Sequence, residues 1–207
     1  MGDSLNVLAV VSDPTSWPVG DRHTAPARKA EVVRAFASWH PTVRAIVGLL
    51  PDELDKWAIV DSFDCPAPTY ARGVLVVAGD AAHAAGPHLG AGAAMGIEDA
   101  LVLSTVLKAT REAILASGGS RHDREARIRA ALRSYSDVRL GRTQWLVRNT
   151  RTAADLFQWQ HPEVGSDADA FAREITWRFR HIWDGDVDEM ARKALDGLTS
   201  LEQADDD

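Results

Sequence analysis

The residues with the most chemistry in this 207-residue sequence are a carboxylate behind an apolar run, Gly79-Asp80, and a small-residue stretch eleven positions on, Gly90-Ala91-Gly92-Ala93-Ala94. Val74 to Ala78 is apolar and bounded by Gly73 and Gly79, which predicts a strand buried on both faces of a sheet. Asp80 would then stand at the strand's C-terminal edge, where ligands of α/β folds commonly bind, and could accept hydrogen bonds from ligand hydroxyls. Gly90 to Gly96 predicts the start of a Gly/Ala-rich helix whose amides a ligand could approach closely. That end carries partial positive charge and favours an anion or an electron-rich heterocycle. Either element alone is better read as a simple turn or a tight helix entry. Their order behind one buried strand favours a ligand site.

Other candidates read as structural. His83 and His88 have no identifiable partner acid or nucleophile, so neither is assigned a catalytic role. Asp184, Asp186 and Asp188 imitate the opening of a calcium loop, but the sixth and twelfth positions are Glu189 and Leu195, where Gly and Glu are needed. They read as a turn and helix cap, and no metal site is expected. The single cysteine, Cys65, excludes an intrachain disulfide and a cysteine-rich metal site and fits a reducing compartment. Nine arginines lie between Arg121 and Arg151 against three acids. They read as a solvated helix face that also pairs with acidic neighbours, and Trp145, Trp159, Trp177 and Trp183 as core.

The elements that must position Asp80 and the glycines follow from periodicity and breakers. Leu5 to Val11 predicts a buried strand, Ala27 to Trp39 a helix, Thr42 to Leu50 a second helix, and Trp57 to Phe63 a strand. After the Val74 to Ala78 strand, Asp80 to Leu89 predicts a loop. A helix then runs to about Leu115; from Ala93 to Leu107 only Glu98, Asp99, Ser104 and Thr105 are strongly polar, which requires most of its circumference to be covered. Ser117 to Ser120 predicts a linker, followed by helices from about Asp123 to Gln160, Ala168 to Ile182 and Val187 to about Leu198. The charged tail, Glu202 to Asp207, predicts disorder.

The run Gly79-Asp80-Ala81-Ala82-His83, Pro87-His88-Leu89-Gly90-Ala91-Gly92 and Ile97-Glu98-Asp99-Ala100 resembles the second flavin motif of class A FAD-dependent aromatic monooxygenases. The resemblance implies that Gly79 and Asp80 meet the ribityl or pyrophosphate part of FAD. It implies further that the backbone of Gly90, Ala91, Gly92, Ala93 and Ala94 faces the pyrimidine end of the isoalloxazine ring, and that Pro87 lies beside the ring. Ala94 stands where many members carry Asn, a feature similar to the salicylate-hydroxylase-like branch. Trp17-Pro18, Trp57 to Pro68 and Trp183-Asp184 extend the likeness over most of Asn6 to Asp188.

What the resemblance implies is an α/β fold: part of a FAD/NAD(P)-binding domain, a remnant of the substrate-domain sheet, and a helical C-terminal region. The corresponding divisions are 1–67, 68–116, 117–200 and a tail, 201–207. The implied activity is hydroxylation of a small phenolic aromatic substrate, salicylate-like, with FAD as cofactor, NAD(P)H as reductant and O2. The family's G-x-G-x-x-G segment and internal Asp-Gly motif are not found before Leu5, and Gly90 lies too far beyond Gly79 for Gly90-x-Gly92 to replace the first. The chain is therefore expected to be a C-terminal portion. The alternative is a non-catalytic remnant or small-molecule binding module of the same fold that binds no FAD. A net charge of −7 and pI near 5.5 disfavour nucleic acid and anionic membrane as partners. No targeting signal is visible, so the cytoplasm is the expected location.

Overall fold

A computed structural model of the chain describes residues 5–13, 17, 20 and 22–206. It divides into two compact units, Met1–Ile59 and Val60–Asp207.

The first unit is built on a two-stranded antiparallel ladder. β1 (Thr24–Arg28) pairs with β2 (Glu53–Trp57), in register from Thr24 opposite Trp57 to Arg28 opposite Glu53. Alternation explains β1: Ala25 and Ala27 turn inward and are buried, while Pro26 and Arg28 face out. The strand takes the first residues of the expected helix, which shortens to α1 (Lys29–Ala35), with Glu31 accepting from the Arg28 amide at 3.0 Å. α2 (Pro41–Gly48) opens with Pro at its first position, where no amide is needed, and with His40 Nδ1 accepting from the Thr42 amide. The expected strand at Trp57 to Phe63 overlaps β2 only at Trp57. Leu5 to Val11 is not a strand: no ladder partner exists for it among the described residues, and Leu5, Leu8 and Val11 are exposed.

The second unit is mainly helical. A short hairpin, β3 (Ala71–Arg72) and β4 (Leu75–Val76), turns at Gly73 and precedes α3 (Asp80–His83). Then come α4 (Gly92–Ser117), α5 (Arg121–Phe157), α6 (Ala168–Trp183) and α7 (Val187–Asp206). α5 starts in a reciprocal cap, Ser120 with Asp123, which explains its entry directly after Gly118-Gly119.

Two apolar clusters hold these helices together. Val102 and Val106 of α4 meet Ala131 and Tyr135 of α5 and Ala194 and Leu198 of α7, with Tyr70 and Ala82 closing the group. Nearer the start of α4, Leu89, Ala91 and Met95 meet Leu146 and Ala153 of α5 and Ile182 of α6.

Val74 to Ala78 is not a central buried strand: the chain folds back on Ala71–Arg72, and Val74, Leu75 and Val77 stay exposed. A β-branched apolar run reads the same whether or not a sheet covers it. The outer face of α4 is likewise open, at Ala93, Ile97, Ala100 and Leu101, where most of the circumference was expected to be covered. The tail is helical through Asp206, because Leu201 packs on the core and Glu202 pairs with Arg127 at 3.0 Å; Asp207 lies outside the described residues. Of the four tryptophans expected in the core, Trp159, Trp177 and Trp183 are exposed and Trp145 is half-buried, its ring centre 3.9 Å from that of His181. Among the described residues no helix is long and apolar enough to cross a membrane.

Candidate functional site

The turn that carries Asp80 is fixed by its glycine. Gly79 has φ 57° and ψ −142°, a backbone state that side chains with a Cβ avoid. Its carbonyl accepts the amides of Ala82 (2.9 Å) and His83 (3.0 Å), closing Asp80–His83 into the single turn of α3. The expected loop from Asp80 thus begins as a helical turn. Asp80 itself is exposed, and its carboxylate makes no hydrogen bond or ion pair with a described residue. It is free to accept from a ligand.

The second half of the site is the entry to α4. Pro87–Leu89 forms one 3-10 turn, ended by Gly90 in the left-handed region (φ 60°), whose amide returns to the Pro87 carbonyl at 3.0 Å. A residue at positive φ cannot be the first residue of a right-handed helix. α4 therefore starts two residues later than expected, with Ala91 as its N-cap. No side chain caps it, and the first backbone bond runs from the Met95 amide to Ala91 O (3.0 Å). The amides of Gly92, Ala93 and Ala94 have no acceptor within the helix and lie at its positive end. Leu89 and Ala91 are buried in the α4–α5–α6 cluster, which anchors this entry, whereas Pro87, Ala93 and Ala94 are exposed.

A flavin fits these residues. Nothing lies within 4 Å of where a Cβ would stand on Gly79, Gly90 or Gly92, so the backbone is open to a close ligand at each. An unpartnered carboxylate suits sugar-alcohol hydroxyls, and uncapped amides suit the oxygen- and nitrogen-rich edge of the ring, especially when it is reduced and negative.

Behind the turn lies a buried ionic cluster. Asp99 Oδ2 accepts from the Gly79 amide (2.8 Å) and pairs with His83 Nε2 (2.6 Å), while Oδ1 accepts from Arg139 Nε (2.7 Å). Arg139 also donates to Glu98 (2.6 Å) and to the Met95 carbonyl (3.1 Å), and Arg142 grips Glu98 through Nε and Nη2, each at 2.8 Å. Asp99 and Arg139 are fully buried. Burial opposes ionisation of Asp99, but hydrogen bonds from His83, Gly79 and Arg139 outweigh it and hold the carboxyl below its ordinary range. Glu98 follows the same pattern, with Arg142 and Arg139 overcoming its burial. An ionised carboxylate has no proton to give, so the Nε2 of His83 carries the hydrogen.

Glu98 and Asp99 stand within the motif with no role assigned from the sequence, and Arg139 lies in the interior and not on the solvated face expected for the α5 arginines. The available signal was a pair of acids in an otherwise apolar helix, which demands buried cations nearby. His83, for which no partner acid was expected, has one in Asp99 at 2.6 Å. His88 has both ring nitrogens buried and without partners; burial pushes its pKa down, and Asp155 only partly opposes this. Asp186 caps α7 by accepting the Glu189 amide at 2.8 Å, the turn-and-cap role expected for that acidic run.

Comparison with known proteins identifies the family. A family profile described as FAD binding domain matches residues 17–149. A FAD-dependent monooxygenase of Monascus ruber is 48% identical over 95% of this chain and 44% of its own length, and one of Aspergillus niger 46% identical over 94% and 44%. A salicylate hydroxylase of Sarocladium schorii is 40% identical over 93% of this chain and 41% of its own. Among solved structures, a salicylate hydroxylase substrate complex superposes with a TM-score of 0.75 at 32% identity, over 89% of this chain and 42% of that one. This chain thus spans less than half the length of the curated relatives it matches. On these grounds it belongs to the FAD binding domain family of the FAD-dependent monooxygenases and carries part of that fold.

Proposed function

We propose that this chain is the portion of a FAD-dependent aromatic hydroxylase that contacts the flavin ring and ribityl chain, acting on a small phenolic, salicylate-like substrate with NAD(P)H as reductant. The observation that carries the reading is the pairing of a free carboxylate on a Gly79-fixed turn with the uncapped, glycine-opened start of α4. Asp80 would accept from ribityl hydroxyls. The amides of Gly92, Ala93 and Ala94, with the Gly90 turn, would hold the pyrimidine edge, and Pro87 would border the ring on the substrate side. Bound there, FAD supplies the redox chemistry that passes an oxygen atom to an aromatic ring. This chain's residues orient the flavin, place positive potential at its pyrimidine edge and contribute an apolar border that excludes water. Titration of the purified chain with FAD tests the reading: a shifted flavin absorbance band and quenched fluorescence are expected. An unperturbed spectrum at high protein concentration would favour a binding module of the same fold that takes no FAD.

A further inference from the structure

We infer that Asp99 is the positioning residue of the Asp80 turn and that Arg139 sets its orientation, so that one helix, α4, carries both halves of the flavin contact in a fixed relation. The inference rests on the flavin reading of Asp80 and of the α4 entry. Gly79 is held from both sides: its carbonyl by the Ala82 and His83 amides, and its amide by Asp99 Oδ2 at 2.8 Å. The same oxygen holds His83 Nε2 at 2.6 Å, so a single carboxylate oxygen ties the first and last residues of the Gly79–His83 turn. α4 also approaches that turn sterically, since a Cβ on Gly96 would stand 3.8 Å from Gly79 Cα.

Asp99 lies about two turns beyond Gly92 on the same rigid helix. The separation between the Asp80 turn and the amides of Gly92 to Ala94 is therefore transmitted through α4 backbone and one side chain. Arg139 completes the device: its Nε fixes Oδ1 of Asp99, and its Nη2 donates to the Met95 carbonyl in the first turn of α4, clamping the amide-bearing end and the carboxylate from one guanidinium. Glu98 shares Arg139 yet touches neither Gly79 nor His83, and its own clamp is Arg142. It is the natural control.

The test uses the 207-residue chain without and with FAD. In the native protein, the Gly79 amide should be protected from hydrogen exchange by more than about a hundredfold although it sits in a surface turn, and a slowly exchanging imidazole Nε2 proton should be detectable for His83. D99N keeps the shape but replaces an acceptor with a donor or removes charge. It should release the Gly79 amide to fast exchange and weaken FAD binding by about tenfold or more, the scale of one lost charge-assisted hydrogen bond. E98Q should lower the melting temperature while leaving Gly79 protection and FAD affinity within about twofold, since it keeps both bonds to Asp99 Oδ2. Equal losses of Gly79 protection in D99N and E98Q at matched melting loss would overturn the proposal, as would an unprotected Gly79 amide in the native chain, which needs no variant to fold. Should the native chain fail to bind FAD while Gly79 is protected and freed only in D99N, the flavin reading fails for this chain and the positioning role of Asp99 stands.

Discussion

Two arginines of α5 each grip two carboxylates in opposite surroundings. Arg139 holds Glu98 and Asp99 with its side chain fully buried, whereas Arg151, 43% exposed, holds Asp61 in a bidentate pair at 2.8 Å and Asp64 at 2.7 Å, with its guanidinium 4.3 Å from the centre of the Phe63 ring. On paper the surface set is as well formed as the buried one. Their consequences differ because the cost of breaking a pair is set by what the abandoned partner meets. Asp64 would meet water, while Asp99 would meet protein. The buried set is also the one that reaches the Asp80 turn, so fold stability and site geometry are coupled there. The Arg151 set pins the 61–64 segment, which Ser62 also ties to the Ala84 carbonyl.

The largest effect that sharpens this contrast is R139M. It fills similar space but leaves two buried carboxylates facing each other with only Arg142 and the donors around Asp99 to compensate. A loss of about 3–5 kcal/mol is expected in urea denaturation. A loss below about 1 kcal/mol would erase the distinction between the two arginines.

That Arg139 belongs to the interior was not legible in its neighbourhood. Arg133, Arg142 and Arg148 share its helix and its composition, and a 37-residue helix with polar residues on every face gives no phase for one buried cation. The acids were more telling, because Glu98 and Asp99 stand side by side in the mostly apolar first half of the helix, where burying both requires cations nearby. The Gly79-Asp80 and Gly90-x-Gly92 motifs could be read because glycine at a turn reports a local backbone need that no tertiary context changes. Helix bodies from Arg121 to Trp183 were legible for the same local reason. Leu5 to Val11 and Val74 to Ala78 were not, since an apolar run reports only a preference for cover, and the described residues supply none.

Acid titration separates the two sets next. Asp99, Glu98 and Asp61 all have folded pKa values below the ordinary range. Their stabilisation is therefore fully present above the unfolded values, near pH 4, and is lost as pH falls through the lower folded values. His88 and His181 have pKa values lowered, chiefly by burial, so the unfolded state takes up protons first and stability falls as pH drops below about 6.5. Stability measured against pH should decline in two stages, a mild one from the histidines and a steeper one below about pH 4. In R139M the steeper stage should shrink or reverse, because burial alone raises carboxyl pKa values. In R151A only the portion due to Asp61 should disappear. A single decline, unchanged in R139M, would break the contrast.

The smallest effect is R151A itself. The pair with Asp64 is exposed and contributes little, but Asp61, with its side chain 8% exposed, loses its bidentate partner, so a loss of about 1–2 kcal/mol is expected, part of it from the Phe63 contact and still below that of R139M. Its signature is salt dependence: at about 1 M salt, where the screening length is near 3 Å, the native chain and R151A should differ by less than they do in dilute buffer. The R139M difference should persist at high salt, because ions do not enter the space between α4 and α5. If both differences shrink alike, the buried cluster is reached by solvent and the Asp80 turn is not held by a protected charge.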